Sequence, residues 1–239
     1  MGDSGRWRLF KDEGKYLDRF GFVLFLTAIS TSVLALVDLD DPSASLLSQV
    51  GWLFVSFTVG FSLLVALRAS GVTRRWQRVA DIVIGFTLLA ALAYLVFDIF
   101  IDMAAPLDLG RPSLFWVFIA VLSPLVVLRR VLLQSVVTHE TLFGALSVYL
   151  LLAIAFNYVF LEVQRFGSEP FFGVPESTSS FMYFSLATIT TVGYGDLAAV
   201  SDLGRFLATS EAIIGQVFLV TIVARLVSVY SRPSIQPDS

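Results

Sequence analysis

Residues 177–196 read STSSFMYFSLATITTVGYGD, a short apolar stretch that runs straight into a glycine-containing turn. From Ser177 to Thr190 is 14 residues, about 21 Å of helix at 1.5 Å per residue, short of the roughly 30 Å hydrocarbon thickness of a bilayer. Pro175, Glu176 and the run Ser177, Thr178, Ser179, Ser180 supply a helix start, with capping hydroxyls and an anionic side chain near the positive end of the helix dipole. Such a segment enters a membrane and returns to the side it came from, which is tolerated only where its non-helical backbone is buried in protein or lines water. Its C-terminal end then delivers Thr191-Val192-Gly193-Tyr194-Gly195-Asp196 toward the membrane centre.

The membrane setting follows from composition. Of 239 residues 56% are hydrophobic, 22 are Phe, and only 15% are charged, against about 25% in a soluble domain. Six long apolar segments, at 20–37, 47–68, 80–101, 113–137, 141–163 and 203–229, are each long enough to span. With the N-terminus inside, 13 of the 16 Lys and Arg fall in cytoplasmic regions, and only Arg111, Arg165 and Arg205 lie outside. The outer loops are acidic, with Asp38, Asp40 and Asp41 after the first span and Asp102 and Asp108 after the third. Both ends of the chain are therefore expected in the cytoplasm, as a tail of residues 1–19 and a short tail of residues 231–239. The absence of Cys and the single histidine, His139, exclude disulfides, thiolate zinc sites, a Cys nucleophile and any His-pair metal site. A net charge of −3 offers no basic surface for nucleic acid.

The residue types from Thr191 to Gly195 suit one task. A dehydrated monovalent cation in a membrane needs a shell of oxygens, and backbone carbonyls supply partial charge without the immobilising pull of a carboxylate. Turning successive carbonyls toward one axis forces some residues to φ > 0, which Gly193 and Gly195 adopt without steric cost. Val192 and Tyr194 then point away from the axis, and the Thr191 hydroxyl adds to the oxygens at the inner end. An extended run at about 3.3 Å per residue stacks several ion sites within ~15 Å, close enough for ions to repel one another through.

All six residues from Thr191 to Asp196 match the filter signature of potassium channels, which this region resembles. The resemblance implies potassium bound at Thr191, Val192, Gly193 and Tyr194 with Gly195 completing the filter, and four copies of the chain around one axis, since the motif occurs once. Tyr194 stands where related nonselective channels differ. Asp196 and Asp202 stand at the outer mouth, Asp202 alternatively being a solvated loop charge. Gly215 matches the family's gating hinge, or is a glycine that allows close helix packing. Tyr183 and Phe184 occupy the place of a Trp pair and support the filter, as does Glu211, an ionisable residue inside the last span that is read as a brace behind the short helix, the alternative being a pore-lining charge. Gln216 either lines the inner cavity or contacts another helix. Where some members carry a Glu that bonds the outer Asp, this chain has Ala187.

The fourth span lacks the arginine ladder of a voltage sensor. Arg129 and Arg130 are adjacent near its end and point about 100° apart, as interfacial anchors do, while Asp98 and Asp102 have no evident mobile charge to pair with. The expected fold is an all-α membrane protein of six transmembrane helices plus a re-entrant pore helix and filter loop, assembling as a tetrameric channel. Residues 20–137 form a four-helix domain without gating arginines, and residues 138–230 the pore domain. The expected function is passive, potassium-selective conduction in the cell membrane, with weak or no voltage dependence. No catalysis, cofactor or small-molecule substrate is expected. A potassium-translocating subunit of an uptake system and a nonconducting scaffold with a channel fold are the rival classes.

Overall fold

The computed structural model describes residues 20–39, 45–69, 74–101, 114–133 and 138–230. The two terminal tails, Asp40, Asp41, Asp102, Asp108 and Arg111 lie outside the described residues. Seven helices occur among the described residues: α1 (Phe20–Leu36), α2 (Ser45–Ala69), α3 (Arg74–Ile101), α4 (Leu114–Leu133), α5 (His139–Phe166), α6 (Thr178–Ile189) and α7 (Asp202–Tyr230). Each apolar segment read from the sequence is a helix, and α6 is the short one. Among the described residues, three stretches are long and apolar enough to cross a membrane: Leu114–Leu133, His139–Phe166 and Asp202–Ile222. Phe20–Leu36 and Val50–Val65 are apolar but shorter.

Local chemistry sets several helix ends. Thr138 caps α5, its hydroxyl accepting from the Thr141 backbone N–H at 3.4 Å while Thr141 Oγ1 accepts from the Thr138 N–H at 3.1 Å. Within α4, Pro124 has no N–H to give the Ala120 carbonyl. The Ser123 hydroxyl donates to that carbonyl instead, at 3.1 Å, so the interior proline leaves no orphaned acceptor. Thr27, Thr31 and Ser62 are fully or almost fully buried and satisfy themselves in the same way, each donating back to a carbonyl four residues earlier.

The helices pack around α5. It contacts α1, α4, α6 and α7, while α3 lies on α2, and α2 in turn packs on α1 and α4. One apolar cluster joins Val55, Val59 and Leu63 of α2 to Trp116 of α4, Ile154 and Tyr158 of α5, and Met182 and Ile189 of α6. A second joins Phe20, Val127, Val131, Val148, Phe218 and Ile222. The packing thus crosses the boundary at residue 137, because α1 lies against α5 and α6 rather than against α2 alone. Its start is fixed by the Glu140 carboxylate of α5, which accepts from the Gly21 N–H at 3.1 Å.

Candidate functional site

The loop after α6 alternates in backbone sense. Thr191, Gly193 and Gly195 have φ of 57°, 53° and 81°, while Val192 and Tyr194 between them do not share the positive φ. Alternation of this kind turns successive carbonyls to one side. The N–H groups of Thr190, Thr191 and Gly193 are spent on carbonyls of α6, Leu186 (3.1 Å), Thr188 (2.9 Å) and Ala187 (3.1 Å) respectively. Among the described residues, none donates a hydrogen bond to the carbonyl oxygens of Thr191 through Gly195. These acceptors are exposed and so open to water or to a cation, which is what an ion-coordinating wall needs.

Positive φ at the two glycines was legible in the sequence, but at Thr191 it was not. A β-branched residue there is strained, and its surroundings hold it. Its N–H is tied to Thr188, and its Oγ1 accepts from Gln216 Nε2 of α7 at 2.9 Å. Gln216 therefore contacts Thr191 across the helix interface.

Behind the loop, α6 is gripped along its length. Ser185 Oγ lies 2.8 Å from the Ala153 carbonyl of α5 and 2.5 Å from Glu211 Oε1 of α7, joining three helices at one hydroxyl. Glu211 is fully buried and faces α6. At the C-terminal end of α6, Tyr149 donates its hydroxyl to the Ile189 carbonyl at 2.9 Å. A Cβ built on Gly215 would stand 2.6 Å from that same oxygen, so Gly215 permits a close helix approach in an α7 that is continuous from Asp202 to Tyr230.

On the other flank, the Tyr183 hydroxyl donates to Asp196 Oδ2 at 2.8 Å, and its ring stacks on Tyr194 with centroids 6.2 Å apart. That bond, ahead of desolvation and the carboxylate's charge, raises the Tyr183 hydroxyl from its ordinary value, so it remains a protonated donor. Tyr183 thus holds the outer Asp that Ala187 cannot reach. Phe184 belongs to a cluster with Phe160, Phe171, Phe172 and Phe181, whose neighbouring rings lie 4.8–5.9 Å apart. The three phenylalanines Phe160, Phe171 and Phe172 were not picked out in the sequence, where no periodicity marks them. Asp202 is exposed in the first turn of α7, where a carboxylate favours the helix dipole.

The start of α6 differs from the sequence reading. Ser177 occupies the N-cap position but makes no side-chain cap bond. The cap comes instead from Asp38, 140 residues earlier, whose Oδ1 accepts from the Thr178 N–H at 3.1 Å and from its hydroxyl at 2.9 Å. The Ser177 hydroxyl is engaged with those of Ser179 and Ser180, and Glu176 accepts from Ser180 at 3.0 Å. A partner so remote in sequence gives no local signal.

Residues 136–232 match a protein family described as ion channel. That match covers α5, α6, the loop and α7, so ion conduction is the function it supports, in a membrane protein. Protein LctB of Bacillus caldotenax is 29% identical over 96 residues, covering 37% of this chain and 71% of that protein. No solved structure matches the chain.

Proposed function

We propose that the protein is a potassium-selective channel of the cell membrane, six-spanning and tetrameric, passing ions passively with weak or no voltage dependence. The observation that carries this reading is the alternating positive φ at Thr191, Gly193 and Gly195, in the sequence Thr-Val-Gly-Tyr-Gly-Asp and with its carbonyls unmatched. Four such loops would give each ion a cage of peptide oxygens in place of water. Thr191 through Gly195 form the ion sites, with Asp196 drawing cations to the mouth.

Assembly has support in the exposed surface. Val192 and Tyr194 are 53% and 72% exposed on one chain. Beside the loop lies a recess of about 480 Å³ lined by the small side chains of Ala187, Ala198, Ala208 and Ala212, with Phe184 and Arg205 at its edges. A neighbouring copy would cover these two side chains and the apolar residues Phe206, Ile213, Val217 and Val220 that α7 exposes. Cyclic symmetry closes such a head-to-side contact into a ring.

Flux through liposomes holding the purified protein tests this reading. Wild type should carry potassium in preference to sodium. Gly193→Ala places a Cβ at φ 53°, at a cost of about 1–2 kcal/mol in each copy, and should abolish selectivity or flux. Unchanged selective flux in that variant would remove the loop from the conduction path.

A further inference from the structure

We propose that Asp38 is a positioning residue for the filter, reached through a joint by which the N-terminal helices hold the entry end of α6. The inference rests on the potassium-channel reading above.

The joint has three parts. Asp38 Oδ1 accepts from both the N–H and the hydroxyl of Thr178, the first residue of α6. The next residue, Leu39, donates its N–H to Thr178 Oγ1 at 2.8 Å, closing a small ring of bonds across two chain segments. The Leu39 side chain is 2% exposed and fills the place beside Gly51 of α2, where a Cβ would lie 2.5 Å from Leu39 Cδ2. Thr178 itself is buried; the Leu39 bond is buried with it and the two bonds to Asp38 are half-buried, so water competes with them less than at an open surface.

Its position gives the joint leverage. The helix α1 is 17 residues long, roughly 25 Å at the helical rise, and is tied at both ends by carboxylates. Glu140 accepts from its start, fixing it to the beginning of α5, and Asp38, just past its end, fixes the beginning of α6. The spacing between the starts of α5 and α6 is thereby set by a rigid element outside both. The far end of α6 carries the filter, with the N–H groups of Thr191 and Gly193 bonded to its last carbonyls. A tilt of α6 about its middle contact at Ser185 moves those carbonyls, and with them the ion sites. Asp38 acts through Thr178 and touches no ion.

Full-length protein in liposomes, assayed for the ratio of potassium to sodium flux and for the gain in thermal stability that potassium gives over sodium, tests the proposal. The variants are Asp38→Ala, Asp38→Asn, Thr178→Val and Ser177→Ala. Asp38→Ala removes both bonds to Thr178 and should lower the flux ratio by more than the roughly fivefold expected from one lost hydrogen bond, and reduce the potassium-specific stabilisation. Asp38→Asn, which keeps an acceptor oxygen, should recover part of both; Thr178→Val, which keeps the N–H, should fall between. Ser177→Ala should match wild type, since that hydroxyl makes no cap bond. Should Asp38→Ala fail to assemble, Asp38→Asn and Thr178→Val carry the same ordering. A wild-type ratio and potassium response in all three variants at the joint would overturn the proposal. A wild-type protein with no preference for potassium would instead overturn the channel reading, and this one with it.

Discussion

At the residue scale, two positions carry most of the constraint. Thr191 adopts φ 57° with a branched Cβ, at a cost on the order of 1–3 kcal/mol that persists only where neighbours over-determine the backbone. Its neighbours are the Thr188 carbonyl and the Gln216 amide, so the strain is held from α6 and α7 together. Gly215, one residue before Gln216, is the second position. With Ile189 O at 2.6 Å and Ile189 Cγ1 at 2.7 Å from the place of a Cβ, Gly215→Ala must push α7 from the end of α6. Overpacking of this kind costs about 1–3 kcal/mol. The variant should unfold at a lower temperature and conduct with reduced selectivity, because the push displaces Gln216 from Thr191. Equal melting temperatures for variant and wild type would show that α7 swings clear at no cost, as a hinge there would allow.

At the scale of elements, α6 is a short helix whose orientation three neighbours set: Asp38 at its start, Glu211 through Ser185 in its middle, Tyr149 at its end. Tyr183 extends this hold to the outer side of the loop through Asp196. Tyr183→Phe keeps the ring that stacks on Tyr194 and removes only the hydroxyl, so the fold should stay intact while Asp196 is released. The expected result is a lower potassium-to-sodium flux ratio with an unchanged melting temperature, and an unchanged ratio would assign Asp196 no part in holding the filter. Legibility in the sequence follows the same division. Helix existence and type were readable because each apolar run is long, and the break at Gly193 and Gly195 because only glycine takes positive φ without strain. Glu211 stood out as an ionisable group inside an apolar span, and Tyr183 only through the resemblance, in the place of an aromatic pair. Asp38 did not, since a bond across 140 residues leaves no mark on local periodicity and Asp38 reads as one more acid in an outer loop; Gln216 did, but its partner Thr191, 25 residues away, could not be read.

At the scale of the molecule, α1 and α4 are fastened to the later helices rather than free to move against them. Helix α1 is tied at both ends to α5 and α6, and the Arg225 guanidinium of α7 donates to the Leu132 carbonyl in the last turn of α4, where a cation suits the negative end of the helix dipole. Moving one elementary charge through 100 mV yields only about 2.3 kcal/mol, so a steep voltage response needs three or four charges on a mobile helix in each subunit. Helix α4 carries Arg129 and Arg130 alone, on different faces near its end. The carbonyl facing its internal Pro124 is satisfied by Ser123 and its last turn is held by Arg225 of α7, so translation of α4 would break that bond. Conductance of the reconstituted protein should therefore vary with voltage by less than about one charge per subunit, against the three or four of a sensor. Arg129→Gln should leave that slope unchanged. A slope demanding several charges per subunit, reduced in Arg129→Gln, would mean that α4 moves across the field despite its attachment to α7.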